Sequence, residues 1–184
     1  MYSKITISGK ICAGKSSVFR ELQKELNWPT FSSGSYFREY AKTHNLILNN
    51  AEEQTNKLTY EVDGKVREML NNPGNLLLDA WLGGILAEGN PQVLRVLLVA
   101  DDVIRFRRFA EREHLSLEES QKEVMLRDTS WFEKVKKIHG RSDFFDEKNY
   151  DVIIDTSLVT VEQVVSLILN TLSASQPATS FKTS

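Results

Sequence analysis

Apolar residues recur along this chain in two alternating rhythms: short runs rich in β-branched residues, and longer stretches with helical spacing. Lys4-Ile5-Thr6-Ile7-Ser8 predicts a buried first strand. Residues 17–26 follow with Val18, Leu22, Glu25 and Leu26 at helical spacing and Phe19 beside them, which predicts a helix. Trp28-Pro29-Thr30-Phe31-Ser32 allows a short second strand. Gly34 breaks it, and Ser35 is the expected cap of a helix through Ala41. A long polar helix is predicted over residues 51–70, with Leu58, Val62, Val66, Met69 and Leu70 as its apolar side. After a turn at 71–75, Leu76-Leu77-Leu78-Asp79 reads as a third strand ending in a carboxylate.

The same alternation continues to the end. Residues 94–99 form the next apolar run, and Asp101-Asp102 opens a helix through Arg112. A second charged helix is predicted from about Ser116 to Ile138, started by the capping box Ser116-Leu117-Glu118-Glu119. Tyr150-Asp151-Val152-Ile153-Ile154-Asp155 predicts a fifth strand, and Thr160 caps a final helix over residues 161–172. Strands alternating with helices predict an α/β fold with a five-stranded parallel sheet. One domain is expected over residues 1–172, with a flexible polar tail at 173–184.

Composition narrows the function classes. A length of 184 residues with 41% hydrophobic content suits one domain with a real core. A net charge of −2 gives no bulk attraction to nucleic acid or to a membrane surface. The single cysteine, Cys12, excludes an internal disulfide. No apolar run approaches the length of a membrane span, and the first strand starts almost at once, with no signal-like segment before it. The expectation is a soluble, cytoplasmic, monomeric protein.

Between the first strand and helix stands Gly9-Lys10-Ile11-Cys12-Ala13-Gly14-Lys15-Ser16, the G-x-x-x-x-G-K-S pattern of a phosphate-binding P-loop. Its backbone N–H groups, together with Ser17, are expected to cradle ATP. Lys15 is expected to reach the β- and γ-phosphates, and the Ser16 hydroxyl to ligate Mg²⁺. The strand–glycine loop–helix setting separates this reading from an ordinary Gly- and Lys-rich turn. If the loop needs a positive φ at position 12, a cysteine there costs on the order of 1 kcal/mol.

Three further signals lie at the carboxyl edge expected of the sheet. Asp79 ends an apolar strand and can hold the Mg²⁺ hydration shell; the competing reading is a turn or helix-cap residue. Arg105, Arg108 and Arg112 share one helical face, with Arg127 on the next helix and Lys134, Lys136, Lys137 and Arg141 beyond, as in a mobile lid over ATP. Interleaved Glu111, Glu113, Glu118, Glu119, Glu123, Asp128 and Glu133 allow a merely solvated face instead. Arg38 suits an acceptor phosphate, or else pairs with Glu39 or Asp63. His44, His114 and His139 have no metal-ligand spacing. Trp28, Trp81 and Trp131 read as packing residues, although Trp81 and Trp131 could stack on a base.

The P-loop resembles the short cytidylate kinase-like family when taken with Ser32-Ser33-Gly34-Ser35-Tyr36-Phe37-Arg38-Glu39, Ala110-Glu111-Arg112-Glu113, Ser116-Leu117-Glu118-Glu119, Arg127-Asp128, Lys136-Lys137-Ile138-His139-Gly140 and the run from Tyr150 to Ser157. The resemblance extends from Ile5 to about Leu172. It implies a P-loop kinase-like three-layer fold with a helical lid, and transfer of phosphate from ATP, with Mg²⁺, to a nucleoside monophosphate such as CMP or dCMP. It implies catalytic roles for Lys15, Arg108 and Arg127, acceptor binding by Ser33, Arg38 and Asp63, and Mg²⁺ held by Ser16 and Asp79. The chain departs from the family pattern in three places. Gly34-Ser35 replaces Gly-Asp, Asp79-Ala80-Trp81 replaces acidic-Gly-Arg, and Lys134 replaces an arginine. Two alternatives stay open: a P-loop kinase for another small acceptor, and a weakly active or non-catalytic nucleotide binder. A GTPase is disfavoured, because Asn56-Lys57-Leu58-Thr59 lacks the guanine-reading Asp.

Overall fold

A computed structural model describes residues 2–45 and 55–174. Strands β1 (Lys4–Ser8), β2 (Thr30–Ser32), β3 (Leu76–Asp79), β4 (Val93–Val99) and β5 (Val152–Asp155) form one sheet in the order β2-β3-β1-β4-β5. Every pairing is parallel. Parallel strands need crossovers, and helices supply them: α1 (Lys15–Leu26), α2 (Ser33–Thr43), α3 (Asn56–Asn71), α4 (Gly83–Leu86), α5 (Asp102–Glu113) and α6 (Leu117–His139), while α7 (Val161–Ala174) follows the last strand.

The sheet is covered on both faces, which is why its strands are apolar throughout rather than alternating. Ile5, Ile7, Leu77, Leu94, Val96 and Leu98 point to one face and pack on α1 and α7 through Val18, Leu22, Val164 and Ile168. Leu76, Leu78 and Val93 point to the other and meet Val66 and Leu70 of α3, Ile85 of α4 and Val135 of α6. A smaller cluster, Phe106, Phe109 and Val124, joins α5 to α6.

Most predicted elements are found, with local differences. Helix α2 begins at Ser33, and its cap is Ser32, whose Oγ accepts from the Ser35 N–H at 3.3 Å. Ser35 is therefore inside the first turn rather than the cap, and β2 runs straight into the helix. Helix α3 starts at Asn56 behind a Thr55 cap; the predicted start at 51–54 lies outside the described residues. The capping box of α6 forms as read, with the Ser116 Oγ accepting from the Glu119 N–H at 3.2 Å. Helix α7 continues to Ala174, two residues past its predicted end; the tail beyond it lies outside the described residues.

Helix α4 has no sequence signal, since it is built on two glycines. The Ser8 Oγ holds it at the end of β1, donating to the Ala80 carbonyl and accepting from the Gly84 N–H, both at 3.1 Å. A Cβ on Gly84 would stand 2.3 Å from the Tyr150 ring, whose hydroxyl donates to the Phe144 carbonyl at 2.6 Å. Gly84→Ala is expected to destabilise the protein by about 1–3 kcal/mol, because the buried Tyr150 ring would have to shift against its hydrogen bond to Phe144. The midpoint of urea unfolding measures this, and an unchanged midpoint would show that the Tyr150 contact yields freely.

Candidate functional site

The P-loop leaves β1 through Gly9 and enters α1 through Gly14. Gly9 adopts φ 149°, and any Cβ there would lie 2.4 Å from the Leu98 carbonyl oxygen of β4. Glycine is thus required by both conformation and space. Cys12 does sit at positive φ, 59°, the strain raised by the sequence. Burial pushes its thiol up despite the neighbouring Arg112, Lys15, Arg105 and Arg108, so the neutral form is favoured.

The loop is braced from outside. The Thr156 Oγ1, just past β5, lies 3.1 Å from the carbonyls of both Ala13 and Val99. The Arg105 Nε donates to the Ile11 carbonyl at 2.8 Å, and the Arg108 Nη1 donates to the Thr156 Oγ1 at 3.0 Å. Inside, the Lys15 Nζ folds back onto the Gly9 and Lys10 carbonyls at 2.7 and 2.9 Å. Burial lowers the Lys15 ammonium, and nearby Asp79 opposes that shift. Asp79 closes β3, is 7% exposed, and accepts from the Ser32 Oγ at 3.2 Å. Burial raises its carboxyl above the ordinary range; Lys15, the Ser32 hydrogen bond and Arg38 pull the other way.

Two clefts meet at this loop. One, of about 520 Å³, lies along its outer side between Ser17, Arg108, Thr156 and Val159. The other, of about 310 Å³, lies on the opposite side between Ser33, Arg38, Asp63, Asp79, Arg127 and Trp131. Cys12, Lys15, Ser16 and Arg112 line both.

A family profile described as an AAA domain matches residues 5–126. The cytidylate kinase of Thermoplasma volcanium is 30% identical over 171 residues, covering 91% of this chain and 90% of the relative. That of Sulfolobus acidocaldarius is 31% identical over 173 residues, covering 92% and 94%. The chain belongs to the cytidylate kinase-like family of P-loop kinases. Another relative, the S-adenosylmethionine-dependent nucleotide dehydratase of Lacinutrix mariniflava, is 32% identical over 92% of this kinase but over only 36% of its own length. Solved structures agree on the fold. An uncharacterized protein from Eubacterium ventriosum superposes with a TM-score of 0.73 at 16% identity, covering 93% of this kinase and 98% of that chain. The shikimate kinase of Acinetobacter baumannii gives a TM-score of 0.60 at 13% identity, covering 95% and 94%.

The structure sorts the kinase's predicted site residues into the two clefts. Arg108 and Ser17 stand in the outer one, and Ser33, Arg38, Asp63, Asp79 and Arg127 in the inner one, with Lys15 and Ser16 between them. Arg108 and Arg127 therefore do not share a cleft. Arg127 donates to Glu123 at 2.7 Å and lies 5.1 Å above the Phe109 ring. Arg38 pairs with neither Glu39 nor Asp63; its Nη2 donates to the Ser35 Oγ at 3.0 Å. A serine hydroxyl thus orients this guanidinium at the position where the family pattern has a carboxylate. Arg105 departs from the expected phosphate-facing set. It is 2% exposed and bonds Ile11, Asp102 and Asp128, so it ties α5 and α6 to the loop.

Trp81 packs edge-on against Phe145 at 4.7 Å, with Phe144 and Trp131 beyond. It walls the inner cleft without adding charge. Arg141 is held by Asp143 and Glu88. Thr156 was missed as a site residue, although a polar residue directly after a strand at this edge was the available signal. His139, given no site role by the sequence, lies 2.9 Å from the Asp63 Oδ2. Nothing in the local sequence pointed to that pair.

Proposed function

We propose that the protein is a nucleoside monophosphate kinase that transfers the γ-phosphoryl group of ATP to CMP or dCMP with Mg²⁺. The observation that carries this reading is the meeting of two clefts at Lys15 and Ser16. A phosphoryl donor in the outer cleft and an acceptor in the inner one would face each other across that point. Phosphoryl transfer is mostly positioning and charge stabilisation, and the residues present suit both tasks. Lys15 exchanges the Gly9 and Lys10 carbonyls for the β- and γ-phosphates. Arg108 borders the donor, Arg127 follows the phosphoryl group from the acceptor side, and Arg38 clamps the acceptor phosphate. Ser16 and Asp79 would hold Mg²⁺, which needs only one or two protein ligands beside phosphates and water. The ion supplies neutralisation of phosphate charge.

The proposed catalytic unit spans residues 1–172 and acts as a cytoplasmic monomer. Among the described residues no helix is long and apolar enough to cross a membrane. A second reading, a different small acceptor, is favoured by one observation: Trp81 stands where a second phosphate-binding arginine would be. A coupled ADP-release assay across CMP, dCMP, UMP, AMP and GMP separates the two. Turnover with CMP or dCMP supports the first, and turnover only with other acceptors supports the second.

Asp79→Asn is expected to raise the Mg²⁺ needed for half-maximal rate by about tenfold or more, with little change in ATP affinity. The substitution keeps the shape and the Ser32 contact but removes the charge. An Mg²⁺ titration identical to wild type would make Asp79 a structural residue.

A further inference from the structure

Asp63 and His139 belong to two helices and lie 76 residues apart in the chain. Asp63 stands on α3 and lines the inner cleft. His139 is the last residue of α6, and its Nε2 reaches the Asp63 Oδ2 at 2.9 Å without itself lining the cleft. The two side chains are only 14% and 13% exposed. The join is reinforced nearby, where the Tyr60 hydroxyl of α3 donates to the Ile138 carbonyl at 3.2 Å. Gly140, at φ 67°, ends α6 immediately after the histidine, with its N–H donating to the Lys136 carbonyl at 2.9 Å.

We propose that His139 is a positioning residue for the acceptor: it donates to one oxygen of Asp63 and leaves the other to accept from a ligand, so that Asp63 selects an acceptor base carrying an exocyclic amine over one carrying a carbonyl. This rests on the nucleoside monophosphate reading of the inner cleft. An ionised carboxylate only accepts hydrogen bonds, and it does so through both oxygens. With Oδ2 held by His139, the group still has acceptor capacity for a ligand N–H, and it repels a carbonyl oxygen. A protonated Asp63 can donate as well, and would read a carbonyl as readily as an amine.

Ionisation of Asp63 is contested. Burial raises its carboxyl above the ordinary range, while the His139 hydrogen bond and charge, and then Arg67 one turn along α3, pull it down. Across the cleft stand Arg38 of α2, Arg127 and Asp128 of α6, and Asp79 of β3. Removing the His139 donor leaves burial less opposed, so Asp63 takes up its proton at a higher pH. The preference for an amine-bearing base is then lost at a higher pH as well.

The test is steady-state kinetics of wild type, His139→Gln and His139→Leu with CMP, UMP and AMP at saturating ATP, from pH 5.5 to 8.5. Glutamine places an amide N–H near the histidine Nε2; leucine fills the space without a donor. Wild type is expected to prefer CMP over UMP by about 100-fold or more. His139→Leu should lose roughly tenfold of that preference through acceptor KM rather than kcat, and its acidic limb for kcat/KM should move up by about half to one pH unit. His139→Gln should stay close to wild type. A preference for AMP over CMP would uphold amine selection while correcting the acceptor. CMP turnover with the same base preference and pH profile in His139→Leu as in wild type would overturn the inference and leave the kinase assignment standing. Equal losses in both variants would also overturn it, by making the effect one of packing. Wild type inactive on every monophosphate would overturn the acceptor reading and this inference together.

Discussion

Lys15→Ala is expected to lower phosphoryl transfer by about 10²–10³-fold while leaving the protein folded. Lys15 lines both clefts and has Asp79 as its nearby counter-charge. Among the described residues the Lys15 Nζ donates to two loop carbonyls, and each such bond contributes about 1 kcal/mol net. Burial already disfavours the charged form, which offsets part of that gain. The side chain is therefore worth little to stability and much to charge stabilisation during transfer. Turnover and thermal midpoint measured on the same preparation decide it. An unchanged midpoint with near-normal turnover would remove Lys15 from the mechanism.

Arg38→Ala should weaken acceptor use by roughly 1.5–3 kcal/mol, or about 10- to 150-fold in kcat/KM for the monophosphate. Its guanidinium lines only the inner cleft and is oriented by the Ser35 hydroxyl. Among the other cations of that cleft, Lys15 and Arg112 also line the outer cleft, and Arg112 and Arg127 are paired to Glu113 and Glu123. The loss should fall on acceptor KM and leave ATP KM unchanged, because Arg38 does not border the outer cleft. A variant whose ATP KM rises while acceptor KM holds would place Arg38 on the donor side. An unaffected acceptor KM would return it to the surface arginine of the competing reading.

Much of the site was legible because its chemistry is local. The P-loop, its strand and its helix occupy consecutive residues, so glycine spacing and hydrophobic period read together. The α6 capping box is four residues long and formed as read. Arginine roles were less legible, since a guanidinium on a helix can turn toward phosphate or toward a neighbouring carboxylate. Arg105 and Arg108 are three positions apart on α5, yet one is spent on Asp102, Asp128 and a loop carbonyl, while the other opens onto the outer cleft. Helix α4 was illegible, because two glycines predict a turn, and the Ser8 hydroxyl that helps hold them as a helix comes from β1, 76 residues away in sequence.

By itself, then, the sequence determined the α/β class, the parallel sheet and the phosphate loop, since these follow from periodicity and backbone conformation within short windows. It also determined the strain at Cys12 as a conditional: a cysteine at that loop position is costly only if φ is positive, and the fold makes it 59°. Tertiary structure alone decided which charges are spent and which remain for a ligand. Ser32 reaches Asp79 across 47 residues, and Asp63 and His139 meet across 76. Sequence spacing carries no information about such pairs, because their geometry is set by how sheet and helices pack rather than by any local preference of the chain.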